Sequence, residues 1–186
     1  MPEAYKHING TTAKKNLWKR LLDKVCPLFD ENTERDAIAD LASGRENVAS
    51  SNSDEEQKVL QIINQEREKK RLPPLEWKED LAHASRYHSY DMGTQDYFNH
   101  NSYDRYHGKL KKIASTFHRI LRFYSTKSEL AENIAKGMST AKEVYDVWLN
   151  SPPHKGTMFN PHAKYVSIGF VETDGVGYWT LETANE

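Results

Sequence analysis

Three side chains in this sequence carry the residue types of acid–base or metal chemistry: His100, Glu132 and His154. His100 follows "DYFN" where a helical stretch ends, and His154 follows "WLNSPP" where another breaks. Both sit at element ends, where functional side chains tend to be presented. Glu132 lies in "ELAENIAKG", which reads as a short, half-buried strand ending at Gly137. Strand parity puts Glu132 on one face with Leu130 and Ile134. A carboxylate buried there without a partner is costly and tends to take up a proton, so its partner is the question.

The other histidines offer less. His83 and His88 are five apart on a helix, share no face, and make a poor chelating pair. His88 falls on the buried stripe and reads as a core histidine with one hydrogen bond. His7 and His162 stand in polar, loop-like contexts, and His107 and His118 belong to a basic segment. Common catalytic motifs are missing: there is no G-x-S-x-G elbow, P-loop, G-x-G-x-x-G or H-E-x-x-H. Cys26 is the single cysteine, so no intrachain disulfide forms, and no catalytic signature surrounds it.

Composition bounds what must position these residues. The 186 residues are 37% hydrophobic and 11% aromatic, enough for one packed domain plus an extension. A net charge of -1 argues against a nucleic-acid partner. No apolar run approaches the length of a membrane span, and "MPEAYKHING" lacks the apolar core of a signal peptide.

The chain divides near residue 53. Residues 1–53 read as an N-terminal extension. Leu17, Trp18, Leu21, Leu22 and Val25 fall at helical spacing among lysines and arginines, and an acidic linker follows. This basic amphipathic helix either docks on the main domain, covers the cleft as a lid, or lies against a membrane or partner. Residues 54–186 read as the main domain. Ser53 and Glu56 suggest a capping box for a helix running to about Arg71. "LPPLEW" breaks it, and a second helix runs from about Lys78 to Thr94 with Leu81, Ala84, Ser85, His88 and Met92 inward. The segment from Arg105 to Lys127 holds seven Lys or Arg and no acid; Leu110, Ile113, Phe117 and Ile120 suggest that it is partly helical. It reads as a solvated face or as a surface for an anionic headgroup or wall polymer. Thr140 and Glu143 cap a third helix burying Ala141, Val144, Val147 and Trp148. "KYVSIGFVETDGVGYWTLETA" is a hairpin turning at Asp174-Gly175. Helices interleaved with few strands predict an α+β arrangement with an antiparallel sheet.

From about residue 55 to the end, the ordered segments "VLQIINQERE", "LPPLEWKEDLAHASRYHSYDM", "YFNH", "AENIAKG", "VWLNSPPHKGTMFNP", "YVSIGFVE" and "GYWTLETA" resemble the CAP superfamily (cysteine-rich secretory proteins, antigen 5, pathogenesis-related 1), especially its cysteine-free bacterial SCP-like branch. The resemblance implies a three-layer α-β-α sandwich around a small, mainly antiparallel sheet. It implies a central cleft in which His100 and His154 match the two family histidines and Glu132 matches the acid of the "GENIA"-like motif. Ser151 stands where many relatives keep a second acid, Ala131 replaces the "GEN" glycine, and Pro153 the "SPGH" glycine. Two imidazoles and a carboxylate would form a partial sphere for zinc or another divalent metal, with Glu132 as ligand or as a base beside it. Alternatively, Glu132 accepts hydrogen bonds from the histidines and ties the cleft together. The resemblance thus implies a secreted or cell-envelope module binding a lipid, an envelope polymer or a protein; the basic charge of residues 10–29 or 105–127 separately suggests membrane-surface contact. Its alternative is a metal-dependent, peptidase-like hydrolase using the same cleft.

Overall fold

The computed structural model describes residues 44–185. All described residues belong to one compact unit. The expected helix over residues 10–29, with His7 and Cys26, lies outside the described residues.

The first described helix is α1, Ser53–Lys69. Its N-cap is Asn52, whose side chain accepts from the Glu55 N–H, so the capping box expected from Ser53 and Glu56 does not form. Glu56 is inside. Its carboxylate accepts from Arg86 Nε and Nη2 and from the Phe170 N–H, tying three elements together. After the short strand β1, Glu76–Trp77, comes α2, Glu79–Gln95, with Leu81, Ala84, Ser85, His88 and Met92 all buried as their spacing predicts.

The basic segment differs from its partly helical expectation. Its first half is a β-hairpin, β2 (Ser102–Tyr106) with β3 (Lys109–Ala114), turning at His107 and Gly108, both at positive φ. Only α3, Thr116–Phe123, is helical. Its inner side holds Arg119 and Ile120, while Phe117 is exposed.

Then follow β4 (Leu130–Lys136), α4 (Ala141–Leu149), α5 (Pro152–Met158), β5 (Tyr165–Thr173) and β6 (Val176–Ala184). The Thr140/Glu143 capping box is present on α4. Tyr145 is buried with Ala141, Val144 and Trp148, whereas Val147, expected inside, is exposed. Pro152 and Pro153 end α4 and open α5, since proline suits a first helical turn.

The main sheet has the order β1-β5-β6-β4, parallel only between β1 and β5. It is the middle layer of an α-β-α sandwich. One face packs on α1 and α4 through Val166, Ile168, Phe170, Trp179, Leu181 and Ala135, a mainly apolar core. The opposite face meets α2 and α3. There β5 runs so close to α2 that a Cβ on Gly169 would stand 2.3 Å from the Ser85 carbonyl carbon. This second interface is partly polar: Ser89 donates to the Gly169 carbonyl or Thr180 Oγ1, both 2.9 Å away.

Candidate functional site

The site grows from the α2–α3 side of the sheet. Leu130, Glu132 and Ile134 do share a face. In register, Glu132 opposes Glu182 on β6, and Glu182 opposes Ser167 on β5. A row of polar side chains therefore crosses three strands of a buried interface.

Arg119 of α3, fully buried, is the cation of this row. Its Nη2 donates to Glu132 Oε2 and lies 3.9 Å from Glu182 Oε1. Its Nη1 donates to the His100 carbonyl at 2.9 Å and to Ser102 Oγ at 3.1 Å. One guanidinium thus faces two carboxylates, and the outcome is asymmetric. Glu132 holds the hydrogen-bonded ion pair. Glu182 has no hydrogen-bond partner among the described residues, and burial pushes its carboxyl well above the usual range, with the Arg119 charge opposing and the Glu132 charge adding to the rise. Glu182 is thus the member of the pair that burial pushes toward its neutral form.

Glu132 Oε1 is 2.8 Å from His100 Nδ1. An ionised carboxylate only accepts, so Nδ1–H is the donor. The His100 side chain is 49% exposed against 2% for Glu132. The ring therefore joins a buried carboxylate to solvent.

The loop bearing His100 is pinned on three sides. Thr116 Oγ1 and Arg119 hold the His100 carbonyl, and His88 Nε2 meets the Asn99 carbonyl at 3.0 Å. His88 is thus the core histidine that its position predicts. Burial lowers its pKa well below the usual range, with the Arg119 charge adding to the effect.

His154 arrives from elsewhere. It occupies the first turn of α5, and its carbonyl accepts from Asn133 Nδ2 at 2.9 Å. Asn133 follows Glu132 in β4, and the alternation of the strand sends the two side chains to opposite faces. Burial lowers the His154 pKa, and the His100 charge lowers it further. Ser151 is the N-cap of α5, without a side-chain capping bond.

His100, Glu132 and His154 thus gather around β4, an edge strand of the sheet. As a metal sphere they do not fit in this arrangement. No three His, Cys, Asp or Glu side chains among the described residues are placed to hold a metal, and Arg119 already neutralises Glu132. One groove lies apart from the site, lined by Leu60 and Asn64 of α1 and by Arg71 and Leu72 just after it.

Sequence reasoning missed Arg119 and Glu182. The readable signal for Arg119 was a charge beside Ile120 on the inner side of a short amphipathic helix. For Glu182 it was parity with Tyr178 and Thr180 in a strand whose partner was unknown.

The sequence profile of the CAP family, the cysteine-rich secretory protein family, matches residues 60–182. The chain belongs to the cysteine-rich secretory protein family. Among its CAP relatives, the Bacillus subtilis protein YkwD is 33% identical over 155 residues, which are 82% of this chain and 56% of YkwD. The B. subtilis membrane protein YlbC is 29% identical over 114 residues, 61% of this chain and 31% of YlbC. The chain thus spans about half of the first relative and a third of the second.

Two solved structures share the fold. An extracellular protein containing an SCP domain from Bacillus anthracis superposes with a TM-score of 0.63 at 23% identity, over 72% of this chain and 41% of that one. An outer surface protein of Borrelia burgdorferi gives a TM-score of 0.62 at 20% identity, over 75% of this chain and 99% of that one.

Proposed function

We propose that this CAP domain is an extracytoplasmic binding module whose ligand is gripped between His100 and His154. The observation that carries the reading is the full engagement of Glu132. One oxygen takes the His100 N–H and the other takes Arg119. A carboxylate used in this way orients an imidazole; it is neither a free base nor an open metal ligand. What the cleft offers a ligand is two imidazoles as hydrogen-bonding groups. His100 is fixed by Glu132, and His154 is held toward the neutral form by burial. The hydrolase alternative would need Glu132 released from Arg119. The extracytoplasmic setting is supported by the two solved relatives, described as an extracellular and an outer surface protein. No described helix is long and apolar enough to cross a membrane.

The test is binding of the purified chain to panels of lipids, cell-envelope glycans and peptides, beside a His100→Ala/His154→Ala variant of matched thermal stability. Saturable binding to one class, weakened about tenfold or more in the variant, is expected for two lost hydrogen bonds. Binding unaffected by the double substitution, or absent across all three panels, overturns the reading.

A further inference from the structure

β4 is an edge of the main sheet, and its pairing with β6 fixes where its main chain points. Two hydrogen bonds at the ends of the ladder set the alternation. The Asn185 N–H donates to the Glu129 carbonyl at 3.2 Å, and the Gly137 N–H donates to the Gly177 carbonyl at 2.7 Å. The antiparallel register runs between them without a shift, so the odd-numbered residues of β4 turn their main-chain groups to β6. The N–H and carbonyl groups of Leu130, Glu132 and Ile134 therefore point the other way, off the sheet.

The surroundings agree with that direction. Trp148 Nε1 of α4 donates to the Ile134 carbonyl at 3.2 Å, which closes the outer edge at that end. The main-chain groups of Leu130 and Glu132 have no partner on this outer side among the described residues. Glu132 is partly exposed although its side chain is only 2% exposed, so the surface it offers to solvent is main chain. This open stretch runs between the two elements that carry the histidines. On one face of the sheet His100 rests on the Glu132 carboxylate, and the Asn133 side chain, directed to the other, holds the His154 carbonyl of α5.

We propose that the cleft binds an extended polypeptide segment, which pairs as a short extra strand with Leu130 and Glu132 at the β4 edge. The inference rests on the cleft being a binding site and narrows its ligand to one class. Donors and acceptors repeating every second residue along an extended backbone are matched by another extended backbone, which exchanges both hydrogen bonds with each residue that faces it. A lipid chain has no such groups, and the hydroxyls of a glycan do not repeat at that spacing. The peptide residue opposite Glu132 sends its side chain to the face where His100 stands, and its two neighbours point to the face of Asn133 and α5. The main chain of the peptide is thus held by β4, and its side chains are read from both faces. A ladder this short, framed by α5 and the His100 loop, suits a single incoming strand rather than the sheet edge of a second folded copy.

The experiment selects binders of the full chain from a phage-displayed library of random dodecapeptides. The best peptide is then resynthesised with an N-methyl group at one position at a time, and affinities are read by fluorescence polarisation. Methylation at alternate positions of the paired stretch should weaken binding about tenfold or more, and methylation between them should do little. Amide exchange followed by NMR should slow at Leu130 and Glu132 when the peptide is added. Leu130→Pro deletes one outward donor and no bond to β6, a place where an edge strand accepts proline. With its fold established by thermal melting, this variant should bind the peptide about fivefold or more weakly.

Failure to select any peptide overturns the inference. So does a selected peptide that is indifferent to N-methylation, or one that leaves the Leu130 and Glu132 amides exchanging as before. A dimer that protects those amides without peptide gives the edge to a second copy and also overturns it. The His100→Ala/His154→Ala variant separates this inference from the cleft reading. Histidine-dependent binding of a lipid or glycan, with no peptide selected, leaves the cleft reading standing and strand pairing refuted. A peptide with alternating N-methyl sensitivity and unchanged affinity for that variant keeps the strand and removes the imidazoles as the grip.

Discussion

At the scale of single residues, Arg119 is the group on which the site depends. It pins the His100 carbonyl, ion-pairs Glu132 and is the only cation within ion-pair distance of Glu182 among the described residues. Removing one partner of a buried ion pair typically costs about 3–5 kcal/mol, because the remaining charge is left without solvent or counter-ion. Arg119→Met is therefore expected to lower unfolding stability by about that amount, as read from urea denaturation at neutral pH. The asymmetry of the two acids gives a sharper expectation. Glu132 is the acid hydrogen-bonded to Arg119, so adding Glu132→Gln to Arg119→Met should restore part of the loss. Burial pushes Glu182 toward its neutral form, so Glu182→Gln should restore little in that background and cost under about 1 kcal/mol alone. Equal rescue by the two glutamines would show that the charge is shared between the acids.

At the scale of elements, much was legible because short-range rules decide it. The inward residues of α2, the capping box of α4 and the hairpin turn at Asp174-Gly175 follow from periodicity, side-chain capping and turn chemistry. The site was half legible. His100 and His154 could be placed at element ends and Glu132 on a face with two aliphatics, but the identity of its partner could not. That identity depends on β4 pairing with β6, and on α3 laying its inner side across the pair, both long-range choices. The hairpin at 102–114 was hidden by apolar residues that also fit a helical period, a known ambiguity of short segments. Gly169 is an element-scale consequence of the same packing. It lets β5 approach the α2 backbone, which in turn holds His88 against the His100 loop. Gly169→Ala would drive a methyl into the Ser85 and Arg86 backbone. A loss of about 1–3 kcal/mol is expected in thermal or urea unfolding, with weaker protection of α2 amides from exchange. A neutral outcome would mean that the two backbones separate without cost.

At the scale of the whole molecule, the two faces of the sheet do different work. The sheet residues of the α1–α4 face are mainly apolar, with Asn133 and Thr183 buried among them, whereas the α2–α3 face holds Arg119, Glu132, Glu182, His88, Asp91 and several serines. Buried titratable groups on one side make stability depend on pH, and the signs differ. Burial lowers the pKa of His88 and His154, so the folded state resists protons that the unfolded chain accepts; stability is lost as pH falls below the ordinary histidine range. Burial raises Asp91 to about 7, with the Tyr97 hydroxyl bond and the Arg119 charge opposing and Asp104 adding. There the folded state keeps a proton that the unfolded chain releases near pH 4, so stability falls as pH rises from about 4 through 7. Asp91→Asn removes that loss and retains an oxygen to accept from Tyr97. The variant's stability relative to the wild type is therefore expected to grow by about 2–4 kcal/mol between pH 4 and 8, measured as the difference between two urea-unfolding series. The histidine-dependent loss on the acid side should remain in both proteins. A pH-independent offset between them would show that Asp91 titrates in the fold as it does in the unfolded chain, and that the α2–α3 face admits more water than its burial indicates.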